Sequence, residues 1–250
     1  MRLSNLLLFI TSIVAFACST GKYSDLPLEK RYWTPDDYED VVLELLFPTN
    51  KDEKLPTLDD PETRIIVEKL IDEENFKVIL DDEELGVKYR NEIGEDYFRE
   101  WRKMNDIYTQ LDRQDKFIYP LEYVECFKFG LGLQLRYFKL GNLAIKENSI
   151  DPDASNVKSA VNKNIRTMIG NFNIYLDLIK NEDSFNEKAL VSYANGIDKY
   201  FSQLIAEYPN ANYKGTKQKL NLLKEKFETN EILVSIDNIL KQLSSVETPS

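Results

Sequence analysis

Apolar side chains recur at helical spacing along most of this chain, and the interruptions fall where helix signals sit. Thr34-Pro35-Asp36-Asp37 is a strong helix start: a capping hydroxyl, a proline in the first turn, and acids at the positive end of the dipole. Tyr38, Val41, Val42, Leu45 and Leu46 follow at the spacing of one helical face, and Pro48 ends the run. Residues 50–58 read as a polar loop. Asp60-Pro61 repeats the start signal ahead of Ile65, Ile66, Lys69 and Leu70. Between Glu95 and Leu111, the residues Tyr97, Phe98, Trp101, Met104, Ile107, Tyr108 and Leu111 predict an amphipathic helix.

The stretch after Pro120 supports two readings. Phe127, Phe129, Leu131, Leu133 and Leu135 alternate with Lys128, Gly130, Gly132 and Gln134, which is the pattern of a half-buried strand. Leu121, Val124, Leu131, Leu135, Phe138 and Leu143 equally fit a helix buried on most sides. No second alternating segment is present to pair with a strand, so a long central helix from about Leu121 to Lys146 is expected. Gly130, Gly132 and Gly141 each weaken such a helix by up to about 1 kcal/mol relative to Ala. Close approach of neighbouring helices is the expected reason for them.

Asp151-Pro152 predicts another helix start, with Val161, Ile165, Met168, Ile169, Phe172, Tyr175, Leu176 and Ile179 on its apolar face. Ser184-Phe185-Asn186-Glu187 reads as a capping box for a helix that runs to Tyr208-Pro209-Asn210. Two further helices are expected around Leu220 to Phe227 and Ile232 to Leu243, with a polar tail from Ser244 and residues 246–250 frayed. The predicted fold class is therefore all-α: a multi-helix bundle or irregular helical array, with one repeat-like helical hairpin. That hairpin spans Phe201 to Tyr213, where Phe201 lies eight residues before Pro209. The segment resembles the junction between tetratricopeptide repeats in helical outer-membrane lipoproteins, in which a bulky residue at that spacing packs between helices and the proline closes the repeat.

Residues 1–17 differ from everything after them. Arg2 is their only charge, an apolar run extends from Leu6 to Phe16, and small residues precede Cys18. The run is shorter than the roughly 20 apolar residues a membrane-spanning helix needs, and it reads as a secretory signal. With a cysteine at the cut site it resembles the signal of bacterial lipoproteins. That resemblance implies cleavage before Cys18 and lipidation of Cys18; residues 18–31, which lack apolar periodicity, read as a tether to a helical domain over 32–245. By further resemblance, Ser19 after the cysteine implies outer-membrane sorting, and the lack of an acidic cluster there favours the periplasmic face over the cell surface. An ordinary secreted protein with a stray thiol at Cys18 is the alternative.

The chain has 32 Lys and Arg against 43 Asp and Glu, a net charge of −11, and removal of Arg2 with the signal leaves −12. Such a surface repels nucleic acid, and no nucleic-acid partner is expected. There are two cysteines, so lipidation of Cys18 leaves Cys126 without a disulfide partner; its apolar neighbours Val124, Phe127 and Phe129 mark it as a buried small hydrophobe. The chain has no histidine, which removes Ser-His-Asp and Cys-His nucleophile systems and most catalytic zinc sites. No phosphate-cradling glycine loop and no nucleophile elbow is found.

Two acidic stretches invite a metal reading and fail it. Asp81-Asp82-Glu83-Glu84 points consecutive carboxylates in different directions and is expected as a solvated helix N-terminus. Asp151 to Asn162 begins like a calcium loop but has Asn156 in place of the glycine and Asn162 in place of the closing glutamate. No metal and no cofactor is expected. Catalysis by a carboxylate pair survives elimination, with Glu122 and Glu125 the candidates. The aromatic stripe is expected to form core; as a ligand surface it would use Trp101, Tyr108 and Tyr123.

Taken together, the sequence leads to the expectation of a membrane-anchored helical binding or assembly module in the bacterial envelope. Its partners would be the lipid anchor and one or more envelope proteins. A carbohydrate- or small-ligand-binding lipoprotein with carboxylate-based hydrolysis is the alternative, and a structural role in the envelope is a third. No catalytic residue is assigned, and the sequence does not address oligomeric state.

Overall fold

The computed structural model describes residues 23, 25–46, 54–180 and 182–246. The predicted signal, Cys18 and the end of the predicted tail lie outside them. Helices α1 (Pro35–Leu46), α2 (Arg64–Leu70), α3 (Glu74–Leu80) and α4 (Val87–Ile107) precede the central α5 (Pro120–Glu147). After it come α6 (Ser155–Leu176), α7 (Glu187–Gly196), a π-helical turn (Ile197–Phe201), α8 (Ser202–Glu207), α9 (Lys214–Lys226) and α10 (Asn230–Val246). Among the described residues the only β-type pairing is a single antiparallel bridge, Leu111 to Phe117. The fold is all-α, and no described helix is long and apolar enough to cross a membrane.

Helix α5 is the shared wall of two hydrophobic cores. Cys126, Phe129, Leu133 and Leu140 enter an N-terminal core with Trp33, Tyr38, Phe76, Tyr97, Trp101 and Met104. Val124, Leu131, Leu135 and Phe138 enter a C-terminal core with Phe172, Tyr175, Tyr193, Phe201 and Ile236. Two residues along an α-helix turn the side chain by about 200°, so 129 and 133 point one way and 131 and 135 the opposite way. The strand-like alternation of this segment is thus a helix buried on both sides.

The glycines of α5 mark where other elements come closest. A Cβ on Gly130 would lie 2.0 Å from the Trp101 ring of α4, one on Gly132 would lie 3.1 Å from the Glu73 carboxyl, and one on Gly141 3.1 Å from the Asn164 amide of α6. The N-terminal core also has a polar centre. Fully buried Asn75 accepts from the Trp33 amide at 2.8 Å and donates to the Tyr38 hydroxyl and the Lys69 carbonyl. The Tyr97 hydroxyl lies 2.8 Å from the Trp33 carbonyl and 2.7 Å from that of Asn75. These bonds tie the N-terminal segment to α2, α3 and α4.

Several boundaries differ from expectation for identifiable reasons. The predicted tether is docked over its last residues: Leu26 is buried, the Trp33 indole donates to the Pro27 carbonyl, and Lys69 donates to the carbonyls of Lys30 and Arg31. Helix α3 was not anticipated, because seven residues show too little periodicity to stand out. The acidic run 81–84 is not a helix N-terminus. It forms the α3–α4 turn, with Asp81 bound to Arg136 at 2.9 Å and the Asp82 carboxylate accepting from the Glu84 amide, and α4 starts after Gly86. Asp151 accepts from the Asp153 amide, and the helix begins later, at Ser155.

Helix α10 continues through Ser244 and Ser245, whose hydroxyls bond back to the Leu240 and Gln242 carbonyls, as far as Val246. The cap of α7 is Asn186 and not Ser184; its side chain accepts from the Ala189 amide at 2.9 Å, while Ser184 closes a short 3-10 turn. Asn186→Ala is therefore expected to lower unfolding free energy by about 1 kcal/mol, and Ser184→Ala by much less, in urea denaturation. Equal losses would contradict this assignment.

Candidate functional site

The residues singled out for chemistry occupy the first turns of α5 and the helix that faces it. Trp101 is 8% exposed, its ring filling the Gly130 notch and its indole N–H donating to the Cys126 carbonyl at 2.8 Å. Tyr108 is fully buried and donates to the Pro56 carbonyl at 3.1 Å. Tyr123, half-buried, stacks on Phe117 with ring centroids 4.5 Å apart. The polar tips of Trp101 and Tyr108 and the ring of Tyr123 are engaged by the protein itself. Burial pushes the Cys126 thiol well above its ordinary value, as expected of an inert core cysteine.

Glu122 and Glu125 diverge. Glu122 is buried against the segment before α2, accepting from the Leu58 amide at 2.8 Å, and burial raises its carboxyl. Glu125 faces the opposite lobe. It accepts from Lys128 at 2.9 Å and from the Ser192 hydroxyl at 2.6 Å, and Lys128 also donates to Ser192 at 3.0 Å. These three groups satisfy one another and clamp α5 to α7. Glu122 and Glu125 are thus not set across one cleft, as glycoside hydrolysis requires of its carboxylate pair.

Beside that clamp lies a cleft of about 370 Å³ between the lobes, lined by Glu73, Glu125, Lys128, Asp198, Lys199 and Tyr200 among others. Glu73 accepts from Lys199 at 2.8 Å, from the Tyr200 hydroxyl, and from Lys77 at 3.1 Å. Burial works to raise the Glu73 carboxyl, but these donors outweigh it and bring the pKa down to about 2. Burial and the neighbouring Glu73 push the Tyr200 hydroxyl up, so it remains a donor. The π-turn carries Lys199 and Tyr200, and Gly196 just before it has no room for a Cβ, which would sit 2.1 Å from the Tyr175 hydroxyl. Such turns often occur at functional positions. Here the turn aims two donors at one carboxylate of the other lobe; Glu73 with Lys199 and Glu125 with Lys128 are matched within the cleft, and Asp198 accepts from the Asn238 amide at 3.3 Å.

A groove of about 800 Å³ behaves differently. It runs between the first half of α6 and the turn joining α8 to α9, and includes Ser155, Lys158, Ser159, Asn162 and Arg166 on one wall and Tyr208 to Asn212 on the other. The turn is fixed from within. The Tyr213 hydroxyl bonds to the Leu204 and Tyr208 carbonyls at 3.1 and 3.0 Å, and the Tyr208 hydroxyl accepts from Asn142, which in turn is held by Asn164. Phe201, eight residues before Pro209, is buried edge-on against Phe172 of α6 and supports the same junction.

The polar groups of the walls are largely uncommitted. Among the described residues, the side chains of Ser155, Ser159, Asn162 and Asn210 make no hydrogen bond within the protein. Arg166 donates only to the Asn162 carbonyl of its own helix, and Lys158 pairs at 3.3 Å with Asp153, which is 89% exposed. Sequence reasoning missed this groove. Its one visible trace is that the first half of α6 is polar except at Val157, Ala160, Val161 and Ile165. Compared with known proteins, the chain matches no family model, no curated sequence and no solved structure.

Proposed function

We propose that the protein is a lipid-anchored helical binding module of the bacterial envelope, held through Cys18 on the periplasmic face of the outer membrane, and that the α6/α8–α9 groove receives its protein partner. The carrying observation is the contrast between the two concave sites. In the inter-lobe cleft Glu73 is paired with Lys199 and Glu125 with Lys128, whereas the groove combines a pre-set turn with side-chain donors and acceptors that have no partner within the fold. A rigid surface of this kind binds without a large ordering cost. Anchoring by lipid supports the same reading, since more than one acyl chain gives lasting attachment and leaves the folded body free to bind.

Cell fractionation tests the anchor: Cys18→Ala is expected to move the protein from the membrane fraction to the soluble fraction, and retention in the membrane would overturn it. A photo-crosslinking amino acid at Asn212 tests the groove. A discrete crosslinked protein band in native membranes is expected, whereas the same probe at exposed Tyr89 of α4 should give none. Identical results at both positions would sink the assignment of the groove as the docking site.

A further inference from the structure

The charge of this chain is unevenly divided, and the division bears on what the groove takes. Residues 1–119 carry 16 Lys and Arg against 27 Asp and Glu, while residues 120–250 carry 16 of each. Within the second part, the 22 residues of α6 include Lys158, Lys163 and Arg166 and no acid. Helix α9, packed on α6, adds five lysines against one glutamate. The single acid on the groove, Glu207, is engaged by Lys139 of α5 at 3.1 Å. The groove lining thus carries two cations, Lys158 and Arg166, against one acid engaged from outside it; of the α9 lysines, Lys219 and Lys224 are paired with Asp177 and Asp237.

Resting on the reading of the groove as a partner site, we propose that its occupant is an extended, acidic segment of another protein. Lys158 and Arg166 would meet carboxylates, with the planar guanidinium of Arg166 able to take one in a two-pronged pair. The amides of Asn162 and Asn210, on opposite walls, can each donate to and accept from a peptide backbone. Ile165, Pro209 and Ala211 supply apolar contact between them. A flat anionic bilayer does not fit a concave site, and a saccharide would find only Tyr208, half-buried and bonded at its hydroxyl, as an aromatic surface. The acidic N-terminal part steers such a partner as well, since its excess negative charge disfavours approach of an acidic segment from that side.

Fluorescence anisotropy of the full-length protein with labelled ten-residue peptides tests this, the peptides alternating Gly with Glu, Gln or Lys. The Glu peptide is expected to bind saturably, at least about tenfold tighter than the Gln peptide, and more weakly as salt rises. The double variant Lys158→Glu/Arg166→Glu should lower that affinity by about tenfold or more and Lys158→Gln/Arg166→Gln by less, with unchanged circular dichroism because both side chains are exposed. Equal binding of Glu and Gln peptides overturns the proposal. So does tighter binding of an oligouronate or of phosphatidylglycerol vesicles, or a mass by light scattering that shows self-association lost in the double reversal. The two readings separate cleanly: a partner crosslinked at Asn212 that is indifferent to charge reversal removes the acidic occupant and keeps the docking site, whereas no crosslinked partner removes the docking site.

Discussion

Gly130→Ala is expected to destabilise the protein by about 3 kcal/mol, at the upper end of what overpacking one methyl group costs. In an open helix the same change is favourable by up to about 1 kcal/mol, since Ala has the better helix propensity. The sign reverses because of what Gly130 faces. An added Cβ would sit 2.0 to 2.3 Å from three atoms of the Trp101 indole. That ring cannot swing aside cheaply: it is 8% exposed, its N–H is held by the Cys126 carbonyl, and Phe98 and Phe127 lie against it with centroids 5.2 and 5.9 Å away. Gly170, in α6, is the internal control. Nothing lies within 4 Å of a Cβ placed there, so Gly170→Ala should stabilise by up to about 1 kcal/mol.

A double-mutant cycle makes the argument specific to the notch. Trp101→Leu removes the indole and is costly by itself, but Gly130→Ala added to it should cost far less than in the native background. Urea denaturation of the four proteins gives the coupling energy. If Gly130→Ala is neutral, or if its cost is unchanged in the Trp101→Leu background, close packing is not why glycine stands at this position.

The same helix shows what was legible in the sequence. That 121–146 is helical followed from the lack of a strand partner, and close approach was the expected reason for its glycines. The partners of those glycines were not legible, because Trp101, Glu73 and Asn164 come from three different elements. The cap of α7 reads two residues early in the sequence, at Ser184, because a hydroxyl and an amide cap candidate stand at 184 and 186, and backbone geometry chose Asn186. The aromatic stripe of α4 was visible as an apolar face, and it faces inward. The groove was invisible for the opposite reason. Its residues are mostly polar, ordinary in composition and brought together from positions 155–166 and 207–212, so neither stretch by itself marks a groove. The inter-lobe contact is more remote still, joining residues 126 and 127 positions apart.

That contact sets the second large effect. Glu73 has a folded pKa of about 2 against an ordinary value of 4.5. A carboxylate whose folded pKa is depressed contributes stability that is complete above its unfolded pKa and is lost as pH falls through the folded one. The contribution is therefore present at neutral pH, declines from about pH 5, and is gone near pH 2. At about 1.4 kcal/mol per pH unit, the upper limit is about 3 kcal/mol. The side chain is 14% exposed, so solvent screens it little. Glu73→Gln should accordingly destabilise by about 2 to 3 kcal/mol at pH 7, and its stability deficit should vanish as pH approaches 2. The comparison with wild type matters because Asp37 and Asp112 are also lowered and contribute to the acid transition of both proteins. Tyr200→Phe, which deletes one hydrogen bond to the carboxylate, should cost about half as much, and Lys199→Met less again, since Lys199 is half exposed. Urea midpoints of the four proteins between pH 2 and 7 are the measurement. A deficit for Glu73→Gln that stays constant across that range would mean that the carboxylate does not hold the two lobes together.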